Sequence, residues 1–500
     1  MNTHDNWVSG ESLRHILEEQ SRLHSEGAIH QLSKLDRGHT WTGLHQLIRS
    51  VEDLINIDEV ASHNVALDRA MNVALDRLQS KDAQESFGEA LQRRFDEAAC
   101  RRVIGLFSHV SVLREFILSY QGDFDGRFSG LRTPRDLANY LKSRRRHLNT
   151  LLYAVSDVCT GNAKLSAAEL FRLAFRITDY TLVTLTGLHQ KLAKIDLYSG
   201  YGCWHTGNGL LDGSLHWQEF LDDNYLEAER IAITDLPSQE LDRSLFDVRK
   251  IISAAELRGM LSQIENSYQE FDLREKGFSD LTFFIEELLS YTKDDYFVRV
   301  PVDAYRSISA RYVHTWWLQR AVYRADPAHP FLGSFAPFVE IGGSFESNLF
   351  LLMRFAYNTR DRILEKHRRY QIRSGFLFED LIKNDLVHLG FTVLGIKRIQ
   401  RKEFDVVTTR NGIIHNFQCK NVRLDYQQME SDIKTFIRHN KRIVRYFERA
   451  LRKEEAREAL LIAKIGLREI RHYVISRFPV FSENKRIIAL RDLKRVLGGV

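Results

Sequence analysis

The chain has 500 residues, 44% of them hydrophobic and 27% charged, which describes a globular protein long enough for two to four domains; no apolar run approaches the roughly 18 residues of a membrane span. Its four cysteines, Cys100, Cys159, Cys203 and Cys419, are far apart and no secretory leader opens the sequence, so we expect reduced thiols in a cytoplasmic protein, with no disulfide framework and no zinc cage. The net charge of +5 conceals an asymmetry: residues 361–500 hold 31 Lys/Arg against 17 Asp/Glu, a net of +14, while the rest nets −9, and a basic domain on an acidic body suits a nucleic-acid partner.

Residues 1–360 read as a mainly helical region. Glu11–Gln20 and Leu44–Ile55 carry apolar residues at helical spacing. Ala66-Leu-Asp-Arg and Ala74-Leu-Asp-Arg look alike, and two turns of one helix explain them without a repeat architecture. Gln121–Gly130 is a turn-rich break; Thr133 then caps a helix with Pro134 at its first position. Tyr198–Gly213 is glycine-rich but fails the dinucleotide pattern, with His205 where a third glycine belongs, and it lacks a phosphate loop's Gly-Lys-Ser/Thr. Cys203 and His205 have no second ligand pair nearby, so the stretch reads as a surface loop and as a subdomain break near 196–216. Residues 217–295 return to helix, Tyr296–Pro301 is a short strand, and Trp316-Trp317 at helical spacing reads as core. Pro327, Pro330 and Pro337 with neighbouring glycines mark a boundary, and a long helix is expected from about Phe345 to Tyr370.

The second unit spans 365–500. Phe378, Leu381, Ile382, Leu386 and Leu389 form one apolar helical stripe, with Glu379 at its rim and Gly390 as the stop. Asn411-Gly412 between two β-rich runs predicts a two-residue hairpin. Arg410 then faces Ile413, and Asp405 lands opposite Gln418. Alternation puts Asp405, Asn416, Gln418 and Lys420 on one face, and Phe404, Val406, Phe417 and Cys419 on the core side. Asp425 to about Ile465 reads as a basic helix, followed by parallel strands at Ile470–Ser476 and Arg486–Leu490.

A helix-borne Glu379, Asp405 near a strand end and Gln418-x-Lys420 on the next strand resemble the PD-(D/E)XK nuclease superfamily, over roughly the last 130 residues. The resemblance implies a C-terminal α/β restriction-endonuclease-like domain, a mixed sheet flanked by helices. Phe404 replaces the motif's proline, and Gln418 replaces its acidic residue, as in some methylation-dependent restriction enzymes. By resemblance, Asp405, Gln418, Glu379 and the Cys419 backbone carbonyl would bind Mg²⁺ (or Mn²⁺), and Lys420 would serve the attacking water or the phosphate's charge. The function expected is metal-dependent phosphodiester hydrolysis, in DNA before RNA. Arg373, Lys397, Arg398, Lys402, Asn421, Arg438, Lys441, Arg442 and Arg445 are candidates for phosphate contact. Two alternatives stay open. Gln418 marks a decayed site in a binding or structural module, or the helical region senses a protein partner, or self-associates, in a restriction or anti-phage defence effector. Each residue alone also has a plain structural role, Asp405 and Lys420 as a cross-strand ion pair and Glu379 as a solvated charge.

Overall fold

A computed structural model describes residues 6–61, 63–77, 80–119, 133–206, 209–212, 253–326, 329–422, 424 and 427–498. The turn expected at Gln121–Gly130 and residues 217–252 of the helix expected over 217–295 lie outside them. Among the described residues no helix is long and apolar enough to cross a membrane. The chain is mainly helical, with a C-terminal mixed sheet flanked by helices.

The helical body is built around Arg37–Ala61 and Pro134–Val158, which pack on each other. Thr133 and Asp136 form a reciprocal capping box at the second helix and Pro134 sits in its first turn, as the sequence predicts. Val65–Asp76 contains both alanine-leucine repeats in one helix and buries Leu67, Met71, Ala74 and Leu75.

Among the described residues two sheets interrupt this mainly helical region, where a single short strand at Tyr296–Pro301 is expected. Asn6–Ser9, Gly202–Thr206 and Gly209–Asp212 form a three-stranded sheet in the stretch read as a loop. A Cβ on Gly202 would lie 2.4 Å from the Trp7 ring, so glycine is required by close approach. Cys203 is buried with its Sγ 3.6 Å from the Tyr201 hydroxyl. The stretch read as a break instead packs Tyr198, Tyr201 and Cys203 into a core shared with the C-terminal region. The second sheet orders Thr292–Lys293, Phe297–Pro301, Ser344–Asn348 and Val339–Ile341. Phe345 is therefore in a strand, and the long helix expected to Tyr370 is two helices. Leu349–Leu364 is capped by Asn348, and a break at Glu365–His367 precedes a new helix capped by His367. Trp317 is fully buried beside Phe284 and Tyr312, as core, whereas Trp316, also expected there, is 39% exposed.

In the C-terminal region we label α1 (Arg368–His388), β1 (Thr392–Leu394), β2 (Val406–Arg410), β3 (Ile413–Lys420), α2 (Ile433–Glu455), α3 (Glu458–Ile465), β4 (Ile470–Ser476) and β5 (Ile487–Ala489). The sheet runs β5-β4-β3-β2-β1; β1, β2 and β3 pair antiparallel, while β3, β4 and β5 pair parallel. Asn411 (φ +52°) and Gly412 (φ +76°) supply the two left-handed residues the turn needs, and Arg410 pairs with Ile413. Gly390 (φ +81°) ends α1. Phe378, Ile382 and Leu386 of α1 pack on Val406, Phe417, Ile475 and Ile488. On the other face α2 presents Phe436, Phe447 and Leu451 beside Val474. The helix expected over Asp425–Ile465 is divided into Gln427–Ser431, α2 and α3.

Candidate active site

The β2–β3 pairing ends at Val406 and Phe417, but β3 continues to Lys420 along β4. Three residues of β3 thus lose their neighbour on one side. Asp405 occupies the gap: its Oδ2 accepts the Cys419 backbone N–H at 2.8 Å, substituting a side-chain acceptor where strand pairing stops. Lys420 Nζ lies 4.0 Å from the same oxygen and donates to Gln418 Oε1 at 3.1 Å.

Strict alternation fails at this point. Asp405 is a bend, and Phe404 packs with Val407, Ile414 and Leu461 rather than with Val406 and Phe417. A bend between them breaks the two-residue period. The expectation that Phe404 shares the Val406–Phe417 side is corrected accordingly. Asn416 does not join the cluster either. It is buried, donating to Glu454 Oε2 at 2.8 Å beside His472, in a network closed by Arg457. The site therefore lies at the sheet's end, where β2 and β3 part, and not on the flat of one face.

α1 brings in Glu379, whose neighbour Phe378 anchors the helix in the core. Burial, and then the Asp405 charge, push the Glu379 carboxyl up to about 7; Lys383 and Lys397 offset part of this. Burial, and then the charges of Asp405 and Glu379, hold the Cys419 thiol well above its ordinary value, so it is a poor nucleophile. Two repelling carboxylates with a nearby amide oxygen are a donor set that a small divalent cation suits. Its charge relieves the repulsion, and it needs few protein ligands because it keeps several waters. The Gln418 amide oxygen has a second lone pair beyond the one Lys420 uses. Among the described residues no group of three or more His, Cys, Asp and Glu side chains is placed to hold a metal, so an ion here would rest on Glu379, Asp405 and Gln418 with water or phosphate.

The cations expected near phosphate fall into two sets. Arg373, Lys397, Arg398 and Lys402 are exposed around the α1 and β1 side, and Arg398 is ion-paired with Glu403. Arg438, Lys441, Arg442 and Arg445 are exposed on α2, and Lys434, Arg449, Arg452 and Lys453 extend the same face. Its opposite face is buried through Phe436, Ile443, Phe447 and Leu451. Asn421 is a brace rather than an open contact: it donates to Ser374 Oγ at 3.2 Å and accepts from Arg477 at 3.1 Å.

Three residues escaped the sequence reading. Tyr446, on the edge of the basic face of α2, is 48% exposed and its ring centre lies 5.9 Å from Lys420 Nζ. Arg477 and Asp361 line a cavity of about 530 Å³ with Lys420, Asn421 and Tyr446. Tyr446 falls off the apolar stripe among cations, which is a signal readable from spacing alone; Asp361 meets Lys420 only through the tertiary fold.

Comparison with protein-family models, with curated proteins and with solved structures returned no match.

Proposed function

We propose that residues 365–500 form a restriction-endonuclease-like domain of the PD-(D/E)XK kind, and that the protein hydrolyses phosphodiester bonds in a divalent-metal-dependent reaction, with DNA the substrate favoured. The observation that carries this reading is the Asp405–Lys420 approach at 4.0 Å, at a strand end where Glu379 repels Asp405. A plain cross-strand ion pair accounts for Asp405 and Lys420, but it gives no reason to bring a second, half-buried carboxylate against the first.

A bound Mg²⁺ or Mn²⁺, held by Asp405, Glu379 and Gln418, supplies Lewis-acid polarisation of the phosphate and relief of its charge. The chain's own groups do the rest. Lys420, tethered by Gln418, holds an ammonium where an attacking water or a phosphate oxygen is to be oriented. Asp405 is fixed by the Cys419 N–H, so its second oxygen keeps a defined direction. Glu379, titrating near 7, changes charge within the working pH range and suits proton exchange with a water in the site. The exposed cations of α2 supply the sequence-independent attraction for a phosphate backbone.

The helical body shares a core with α2, and Arg146 pairs with Glu430 in its interior, so we also propose that events on the helical region bias the nuclease. Incubation of the purified chain with plasmid, linear DNA and RNA, in Mg²⁺, Mn²⁺ or EDTA, tests the reading. Metal-dependent cleavage supports it; inertness under every metal, with binding retained, assigns the domain to nucleic-acid binding alone.

A further inference from the structure

The cavity beside Lys420 has a composition that phosphate binding does not explain. At about 530 Å³ it falls within the roughly 300–1,000 Å³ range of small-ligand sites. It opens between the helix Leu349–Leu364 of the helical body and the end of the sheet. Lys420 and Arg477 form a cationic wall suited to an anion, with Asn421 bracing Arg477. Tyr446 forms a second wall with an aromatic face that the core does not need, since Phe436, Ile443, Phe447 and Leu451 already fill the buried side of α2.

Asp361 lines the third wall, from the other region of the chain. It is 7% exposed; its Oδ1 accepts from Arg360 Nε at 3.0 Å and Nη2 at 2.8 Å, while its buried Oδ2 has no hydrogen-bond partner among the described residues. A buried acceptor left without a donor is costly, and a ligand that donates into the cavity removes the cost. A backbone phosphodiester cannot donate and would be repelled by this carboxylate. A nucleobase offers what the walls lack: a π face for Tyr446 and an N–H edge for Asp361.

We infer that this cavity receives the base of an unpaired nucleotide whose phosphate is presented to Lys420. The inference rests on the nuclease reading for the role of Lys420 and deepens it by naming the substrate: a single strand, or a strand with an extruded base. A base stacked and paired in intact duplex exposes neither its face nor its Watson–Crick edge. Recognition is then shared between the two regions of the chain.

The test is binding of the full chain in EDTA to oligonucleotides carrying 2-aminopurine, whose fluorescence is quenched on aromatic stacking. Single-stranded DNA, single-stranded RNA and a fully paired duplex are compared. The single strands are expected to quench on binding, the duplex not, and the DNA and RNA arms identify the sugar. Tyr446→Phe is expected to keep the quench. Tyr446→Ala is expected to lose it and to weaken single-strand binding about 5- to 150-fold, leaving duplex affinity unchanged. Asp361→Asn, which keeps an oxygen for Arg360 and places a donor where Oδ2 stood, is expected to weaken single-strand binding while preserving the fold. Unchanged quench and affinity in Tyr446→Ala would overturn the inference, as would a nucleoside monophosphate that binds more tightly than the oligonucleotide, which would assign the cavity to a soluble nucleotide. The readout needs neither metal nor turnover. A chain that never cleaves but shows the Tyr446 effect refutes only the nuclease reading, and one that cleaves through Lys420 with no Tyr446 effect refutes only the base pocket.

Discussion

The Asp405 carboxylate accepts the backbone N–H of Cys419 at 2.8 Å, so one side chain both terminates the β2–β3 pairing and carries the charge nearest Lys420. The two roles can be separated. Asp405→Asn keeps an oxygen for Cys419 and removes the charge; Asp405→Ala removes both. We expect the asparagine variant to unfold within about 0.5 kcal/mol of wild type and the alanine variant to lose about 1 kcal/mol or more, measured by denaturant midpoint. Equal stability of the two would mean that the Cys419 contact contributes nothing.

Glu379 supplies a pH signature. Its folded-state value of about 7 stands above the unfolded value of about 4.3, so the protonated carboxyl favours the fold. That contribution is complete below the unfolded value and is lost as pH rises through 7. Partial exposure of the group moderates it. Metal-free wild type should therefore lose melting temperature between pH 5 and 8 more than Glu379→Gln does.

In the proposed site the same carboxyl would couple to a bound metal. Binding a divalent ion has to displace the Glu379 proton below pH 7, so apparent Mg²⁺ affinity should climb with pH and level off above about 7. Titration calorimetry at several pH values checks this, and Glu379→Gln should flatten the profile. A flat wild-type profile would remove Glu379 from the ion's surroundings.

The exposed cations on α2 predict the salt response. Replacing Arg438, Lys441, Arg442 and Arg445 together with glutamine preserves helix propensity and removes four charges. If all four neutralise phosphates, the slope of log affinity against log salt for duplex DNA should fall by about 3–4. An unchanged slope would place the nucleic acid elsewhere.

Arg146 and Glu430 form a buried ion pair between the helical body and the short helix before α2, with Thr186 Oγ1 donating to Glu430 at 3.2 Å. Glu430→Ala should cost about 3–5 kcal/mol because it strands a buried guanidinium, and Arg146→Met with Glu430→Leu should recover much of that. Chemical denaturation measures both. A loss under about 1 kcal/mol would show that the two regions are not joined there.

Much of the candidate site's residue grouping is legible in sequence because one local signal controls it. Asn411-Gly412 sets the hairpin register, and register determines which residues oppose one another, hence the grouping of Asp405, Gln418 and Lys420. Residues whose environment depends on distant chain were not legible. Gly202–Thr206 becomes a strand because Asn6–Ser9 lies alongside it, a pairing with no local trace. Phe345 looked like the start of a helix because apolar residues continue at helical spacing after it, yet it pairs with Val300. Strict alternation puts Phe404 on the wrong side because it cannot register the bend at Asp405.

The central claim is that Asp405 and Lys420 form a metal-dependent cleavage centre, and a plasmid-nicking assay in Mg²⁺ and in EDTA tests it most directly. Wild type should cleave only with metal. Asp405→Ala should be inactive, and Lys420→Ala nearly so with DNA binding almost intact, since one lysine among many contributes little to affinity. Gln418→Glu should keep substantial activity and bind metal more tightly. Cleavage by wild type that persists undiminished in both Asp405→Ala and Lys420→Ala would contradict the account.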